Sequence, residues 1–125
     1  MSSAAEITAS ANNHGNSSIG TNFRVSRYNH FTSIRQKLDA TSATVKISRT
    51  NPNSSKSSVY VYYGNGTNRT YGRAKVVGYT DYYVYLPNTV YESGQRSAKL
   101  NFTIYSTPNG QSEFTMNGVW SPDSI

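Results

Sequence analysis

The chain has 125 residues, a formal net charge of +6 and no cysteine. A chain of this length is expected to form one domain that buries a single core without help from a metal or a disulfide. The absence of cysteine excludes disulfides and thiolate metal sites, and because the basic residues are scattered, the charge favours general attraction to polyanions over a dedicated nucleic-acid stripe.

The first twenty residues are rich in Ser, Ala, Asn and Gly, and they include few sizeable apolar side chains. Such a segment cannot repay its ordering entropy by burial, so we predict a mobile N-terminal arm at 1–20 and a β-sandwich domain at 21–125. No apolar run follows Met1, and none in the chain approaches the roughly 18–20 residues that cross a bilayer. We therefore expect no transmembrane segment, and we interpret Met1 as an added start on a mature sequence whose signal peptide was removed.

From residue 21 onward, apolar and polar side chains alternate with a period of two, which is typical of half-buried strands. The alternating runs are 21–28, 41–49, 57–63, 81–86, 97–105 and 113–120. Turn-forming residues separate them at 51–53, 64–66, 92–94 and 108–110. This pattern predicts an all-β fold, a single antiparallel sandwich or flattened barrel of six to eight short strands.

The turn at 108–110 and the segment 30–40 each allow a more specific prediction. Pro108-Asn109-Gly110 supplies turn residues between two alternating runs, so we predict a hairpin that pairs 97–105 with 112–120. The segment 30–40 is ambiguous, because Phe31, Ile34 and Leu38 have helical spacing and a short helix there competes with a strand.

The only tryptophan, Trp120, lies an even number of positions after Phe114, Met116 and Gly118, so this strand parity predicts that all four lie on the same face of the last strand. We therefore predict that Trp120, Phe114 and Met116 anchor the core from the last strand, rather than that Trp120 forms an exposed binding platform. A buried indole N–H is expected to find a hydrogen-bond acceptor, usually a backbone carbonyl. Pro122 would end the strand by removing a donor.

No arrangement of residues indicates catalysis. The two histidines are His14, in the predicted arm, and His30, which we interpret as a turn or sheet-edge residue. Serine never occurs in a G-x-S-x-G context, and the carboxylates show no spacing that would suggest a catalytic pair. Neither zinc nor calcium ligand patterns are present. We expect a protein that is not an enzyme and has no metal and no cofactor.

Tyrosines provide the most informative functional pattern. Tyr60, Tyr62, Tyr83 and Tyr85 fall on strand faces opposite the Val and Leu positions. If those faces are exposed, the four tyrosines together with Arg69, Arg73 and Lys75 form a candidate ligand-binding surface, suited to sugar rings, bases or another protein. The alternative is that both faces of these strands are buried, with the tyrosine hydroxyls at the rim.

Three short motifs resemble a group of small exported proteins of Gram-positive bacteria (Firmicutes). They are RQKLDATS at 35–42, NTVYESG at 88–94 and GVWSPDS at 118–124, within a resemblance that covers about residues 34–125. The resemblance implies secretion by a signal peptide, and it brings no catalytic residue with it.

These observations predict an extracellular or cell-surface binding module that engages a cell-envelope glycan, an anionic polymer or a protein partner. One alternative is a secreted antimicrobial or toxin-like effector, although no amphipathic cationic helix is present to insert into membranes. Another is a nucleic-acid-binding or coat protein, because a small basic β protein can serve either purpose. The oligomeric state is left open.

Overall fold

Ten β-strands are present in the computed structural model, which describes residues 12–20, 23–65, 74–80 and 82–124. Their bounds are Ser17–Ser18 (β1), Phe23–Ser26 (β2), His30–Phe31 (β3), Arg35–Gln36 (β4), Ala43–Asn51 (β5), Lys56–Tyr63 (β6), Lys75–Val77 (β7), Val84–Leu86 (β8), Ser97–Ser106 (β9) and Glu113–Ser121 (β10). In this part of the chain no helix is long and apolar enough to cross a membrane.

The strands form two antiparallel sheets that pack face to face. In the first sheet, β1 and β2 pair with β10, which is followed by β5 and β8. In the second sheet, β3 and β4 pair with β9, which is followed by β6 and β7. The sheets do not close into a barrel, so the predicted all-β sandwich is confirmed.

The core lies between the sheets and is built from the inward residues of the alternating runs. Each sheet contributes side chains that are wholly or almost wholly buried, including Val45, Ile47 and Met116 from the first sheet and Leu100 and Phe102 from the second. Burial of such side chains provides about 1.5–3 kcal/mol each and dominates the stabilisation of a fold of this kind. The period of two in the sequence therefore corresponds directly to the two inner faces.

The predicted hairpin between 97–105 and 112–120 is wrong. β9 belongs to the second sheet and β10 to the first, so the turn at Pro108–Gly110 carries the chain from one sheet to the other. Asn109 and Gly110 both have positive φ there, as a tight hairpin would also require. The linker between the strands is longer than a two-residue hairpin loop, and it spans the gap of about 10 Å between packed sheets.

The ambiguous segment 30–40 forms two short strands and no helix. β3 pairs with β9 through Phe31 and Asn101, and β4 pairs with it through Arg35 and Ala98. Backbone hydrogen bonds to β9 thus outweigh the helical spacing of the apolar residues. Ile34, which that spacing would have buried, is exposed.

The described part of the predicted mobile arm lies on the sandwich. Ser17 and Ser18 pair with Trp120 and Val119, and Ile19 is 3% exposed within the core. The backbone N–H of Ile19 also donates to the carbonyl of Gly118 at 3.1 Å. The boundary predicted at residue 21 therefore needs correction for residues 12–20, because a single Ile and pairing along β10 suffice to dock the segment. Residues 1–11 lie outside the described residues.

Candidate functional site

A groove of about 790 Å³ opens where two connections between the sheets lie side by side. One wall is the end of β5 and the turn into β6, and the other is β7 and the connection from β7 to β8. Its described lining residues are Ser48, Arg49, Thr50, Asn53, Ser54, Ser55, Lys56, Val76, Gly78, Tyr79, Thr80 and Tyr82. Volumes of this size are typical of ligand-binding clefts.

Local backbone contacts fix both walls of the groove. The carbonyl of Pro52 accepts the hydroxyl of Ser55 at 2.8 Å, and Ser54 adopts a φ of 74° that closes the turn. On the other wall, the N–H of Thr80 donates to the carbonyl of Ile47 at 3.1 Å, which ties the connection to β5. A Cβ at Gly78 would lie 3.1 Å from the carbonyl oxygen of Ser55, so the absence of a side chain allows the walls to approach.

Exposed aromatic side chains line the groove. Tyr79 is 62% exposed and Tyr82 is 63% exposed, and Val76 adds a further exposed apolar surface. Around them lie side chains with hydroxyl and amide groups, from Ser48, Thr50, Asn53, Ser54 and Thr80. Flat aromatic surface surrounded by small hydrogen-bonding groups is the combination that binds sugar rings and other flat polar ligands.

The charged lining residues that the structure describes are both cations. Arg49 and Lys56 are exposed, and neither has a carboxylate partner among the described residues. The ion pairs in that part of the chain are Arg24 with Glu113 and Lys37 with Asp123. The groove therefore presents two cations that are available to a ligand with negative charge.

The four predicted tyrosines do not share one surface, which corrects the predicted Tyr/Arg face. Tyr60 and Tyr62 lie on β6 of the second sheet, whereas Tyr85 lies on β8 of the first sheet and Tyr83 directly precedes it. Strand parity placed each tyrosine on an outward face, but the outward faces of two packed sheets point in opposite directions.

Tyr60 and Tyr62 are half-buried rather than open. The Tyr62 hydroxyl accepts a hydrogen bond from Asn101 Nδ2 at 3.1 Å, and the Phe31 ring packs edge-on against Tyr62 with 5.1 Å between centroids. The segment that contains β3 thus covers part of this face. Lys75, on β7, pairs with Val59 on β6 and so shares a sheet face with Val59, not with these tyrosines. Arg69 and Arg73 lie outside the described residues.

Tyr83 and Tyr85 are exposed and line a smaller depression of about 310 Å³. Asn16 Nδ2 donates to the Tyr83 hydroxyl at 2.7 Å, and Lys46 Nζ lies 5.4 Å from the centre of the Tyr83 ring. These contacts hold Tyr83 in place. The depression is the nearest counterpart of the predicted surface, but it contains only two of its tyrosines.

The groove residues were missed by the sequence argument. Alternation over 81–86 assigns Tyr82 to the inward face with Val84 and Leu86, yet β8 begins only at Val84 and Tyr82 is exposed. Tyr79 follows β7 in an irregular connection, where parity gives no information. The available signal was their composition, because two tyrosines within four residues beside a Gly mark an exposed aromatic connection.

Trp120, Phe114 and Met116 lie in the core, where strand parity predicted them. The Arg35 guanidinium stands 5.5 Å from the centre of the Trp120 ring and donates to the Trp120 carbonyl at 3.0 Å. The sequence predicts a hydrogen-bond acceptor for the indole N–H, but Trp120 Nε1 has no hydrogen-bond partner among the described residues. The burial of a whole indole outweighs the cost of about 1–3 kcal/mol for that donor.

A polar cluster with a buried centre, the C-terminal clasp, joins the N-terminal segment, the segment after β4 and the chain after β10. Its members are Asn12, Asn13, Lys37, Asp39, Thr41, Asp123 and Ser124. At its centre Lys37 Nζ lies 2.7 Å from Asp123 Oδ1, and both side chains are 0% exposed. The clasp brings together residues of the motifs at 35–42 and 118–124, which are far apart in sequence.

Hydrogen bonds and charge set the titration of the groups around the clasp. Partial burial raises the pKa of Asp39, but hydrogen bonds from Thr41 and Asn12 and the charge of Lys37 outweigh it and hold that pKa below its usual value. Desolvation lowers the pKa of the Arg35 guanidinium, and the charge of Asp123 opposes that shift. The Asp39 carboxylate of the clasp therefore stays ionised to a lower pH than a free aspartate does.

His30 lies at the start of β3, next to Ser26. The Ser26 hydroxyl lies 2.8 Å from His30 Nε2 and accepts the N–H of Tyr28, and desolvation lowers the His30 pKa. No carboxylate hydrogen-bonds this imidazole among the described residues, and the charge of Glu113 opposes the lowering of its pKa. The same part of the chain contains no cluster of three or more His, Cys, Asp or Glu residues that could hold a metal ion.

A family model described as "Protein of unknown function (DUF2712)" matches residues 7–124, which is nearly the whole chain. The chain belongs to this family. The DUF2712 match includes the groove, the clasp and all ten strands. Neither the curated proteins nor the solved structures gave a match.

Proposed function

We propose that this chain is an exported, non-enzymatic binding module whose groove holds an anionic polymer of the cell envelope. The observation that carries the proposal is the coincidence of Tyr79 and Tyr82, both exposed, with Arg49 and Lys56, which have no described carboxylate partner. The candidate ligand is a polymer with phosphate or carboxylate groups and sugar or polyol units.

The chemistry of such a ligand matches the two kinds of group in the groove. Tyrosine rings offer flat apolar surface at low entropic cost, on which a sugar ring or a polyol chain packs. Arginine forms paired hydrogen bonds with phosphate, and lysine acts as a point charge. The formal net charge of +6 adds a long-range attraction that raises the local concentration of a polyanion.

The location outside the cell is part of the proposal. It is supported by the motifs that resemble small exported Gram-positive proteins and by a composition that is rich in Ser, Thr and Asn and poor in charged residues. Fractionation of a source culture tests it directly, with antibody detection in the medium, the wall and the cytoplasm. A protein confined to the cytoplasm would contradict this part of the proposal.

Binding is tested by titration calorimetry with poly(glycerol phosphate) as the phosphate polymer and dextran as the neutral control. We expect binding to the phosphate polymer only, with an affinity that falls as salt rises because charges are screened. Tyr82→Ala and Arg49→Ala should each weaken binding about tenfold, which corresponds to about 1.4 kcal/mol.

The matched controls are Tyr28→Ala and Arg27→Ala, two neighbouring exposed positions that do not line the groove. Both should bind as the parent does. An equal loss of affinity in the control and groove variants would show that binding depends on net charge and exposed tyrosines in general, and not on the groove. Binding to a single-stranded oligonucleotide but not to poly(glycerol phosphate) would instead favour the nucleic-acid alternative.

A further inference from the structure

The ion pair at the centre of the C-terminal clasp is unusually placed for two charged side chains. Lys37 and Asp123 are both 0% exposed and their Nζ and Oδ1 atoms are 2.7 Å apart. Removal of two charges from water costs several kcal/mol per ion, and attraction between them repays this only with full hydrogen bonding. A reaction that removes both charges would end that cost.

The carboxyl group of Asp123 is held by donors on its far oxygen. Oδ2 accepts the backbone N–H of Asn13 at 2.8 Å and the backbone N–H of Leu38 at 2.9 Å. Two fixed N–H groups aimed at one oxygen within 2.7–3.1 Å form the arrangement that stabilises the negative oxygen of a tetrahedral intermediate. The two N–H groups are thus placed to hold the negative oxygen that forms when a nucleophile attacks the carboxyl carbon.

The amine of Lys37 lies against that carboxyl group. Nζ donates to the carbonyl of Thr41 at 2.5 Å and to the carbonyl of Pro122 at 2.8 Å, and its third contact is Asp123 Oδ1. When the proton shared with Oδ1 moves to the carboxyl group, two N–H bonds stay on the carbonyls and the lone pair faces Asp123. Holding two reactants in this way replaces a bimolecular step by an intramolecular one.

We propose that Lys37 and Asp123 condense in the folded chain to form an intramolecular amide. Lys37 Nζ attacks Asp123 Cγ, and Oδ2 carries the negative charge of the intermediate between the N–H groups of Asn13 and Leu38. Two protons pass from Nζ to Oδ1, the Cγ–Oδ1 bond breaks, and Oδ1 leaves as water. The N–Cγ bond replaces the ion pair, and no oxidant, reductant or co-reactant is required.

The amide would join two positions that are 86 residues apart in sequence. It would tie the chain after β4 to the chain after β10, so that β5 to β10, which come from both sheets, lie within one covalent loop. A crosslink over a loop of that length restricts the unfolded chain strongly. The crosslinked domain would then resist proteases and denaturant better than the same domain without the amide.

The mass of the folded full-length chain tests the proposal. We expect an intact mass lower than the sequence mass by one water, about 18 Da. Trypsin does not cleave after an acylated lysine, so the digest should contain peptide 36–46 joined to peptide 100–125. Lys37→Arg should show its full sequence mass and release peptide 100–125 alone.

Asp123→Asn provides an independent check. Attack on the side-chain amide would release ammonia, so this variant should lose about 17 Da instead of 18 Da. An unmodified mass for the native chain, together with separate peptides 38–46 and 100–125, would overturn the proposal whatever the variants do. A water loss that maps to any other pair of residues would overturn it as well.

Discussion

Truncation of Asp123 to Ala should remove much of the stability of the domain. Asp123 is the acceptor for Lys37 Nζ and for the backbone N–H groups of Asn13 and Leu38, and all these contacts lie in or beside a site closed to water. The substitution leaves a buried ammonium without its partner and two backbone donors without an acceptor.

The size of the loss follows from these contacts. Breaking a buried ion pair by removal of one member costs about 3–5 kcal/mol, and each orphaned donor costs about 1–3 kcal/mol more. Domains of this size have total stabilities of about 5–15 kcal/mol, so Asp123→Ala should be largely unfolded or close to it at 25 °C. Lys37→Met should cost less, because the two N–H groups still satisfy the carboxylate and the apolar side chain fills the space.

Urea unfolding, followed by tryptophan fluorescence, measures both variants. The matched control is the exposed pair of Arg24 and Glu113, whose atoms are 3.6 Å apart. Glu113→Ala should change stability by about 1 kcal/mol or less, because exposed pairs contribute little. An Asp123→Ala variant as stable as Glu113→Ala would show that the buried contacts of Asp123 contribute little to the stability of the domain.

Three further predictions concern stability. Gly118→Ala should lower the free energy of unfolding by about 1–3 kcal/mol, because a Cβ there would overlap the Lys46 carbonyl oxygen and lie 3.1 Å from Ile47 Cα. Gly15→Ala is the control: a Cβ at Gly15 has nothing within 4 Å, so this variant should be neutral in the same urea experiment. Trp120→Ala should cost about 3–5 kcal/mol in thermal unfolding and Trp120→Phe clearly less, since Phe keeps an aromatic ring and removes the unpartnered indole N–H; equal losses would contradict this. The pKa of Asp39 is depressed in the folded state, so the stability that its carboxylate contributes is present above the unfolded pKa of about 3.9 and is lost as pH falls through the folded pKa. Asp39→Asn should therefore lose less stability than the parent between pH 5 and about 2. Identical pH profiles of the two proteins would count against the hydrogen bonds of Asp39.

Local periodicity predicted the strands well, because alternation depends on neighbouring residues only. The runs at 41–49, 57–63, 97–105 and 113–120 correspond to β5, β6, β9 and β10. The sheet to which each strand belongs is a non-local property. Turn residues at Pro108–Gly110 suit a hairpin and a crossing between sheets equally, and parity cannot distinguish the two.

The candidate site could be predicted only in part. Outward tyrosines were identified by parity, but the groove depends on two irregular connections that meet in space and have no period. The clasp was also beyond local reasoning, because Lys37 and Asp123 are charged residues that ordinarily lie on the surface. Their burial follows from the fold of the chain between them, which brings together two positions 86 apart in sequence.

The groove is proposed as the site where an anionic polymer binds. A titration of the ¹⁵N-labelled chain with poly(glycerol phosphate), followed by amide chemical shifts, tests this claim residue by residue. Binding in the groove should give shifts concentrated at 48–56 and 76–82, with little change at Tyr28, Tyr83 and Tyr85. Shifts centred on the Tyr83 and Tyr85 depression, or spread evenly over the basic surface, would contradict it.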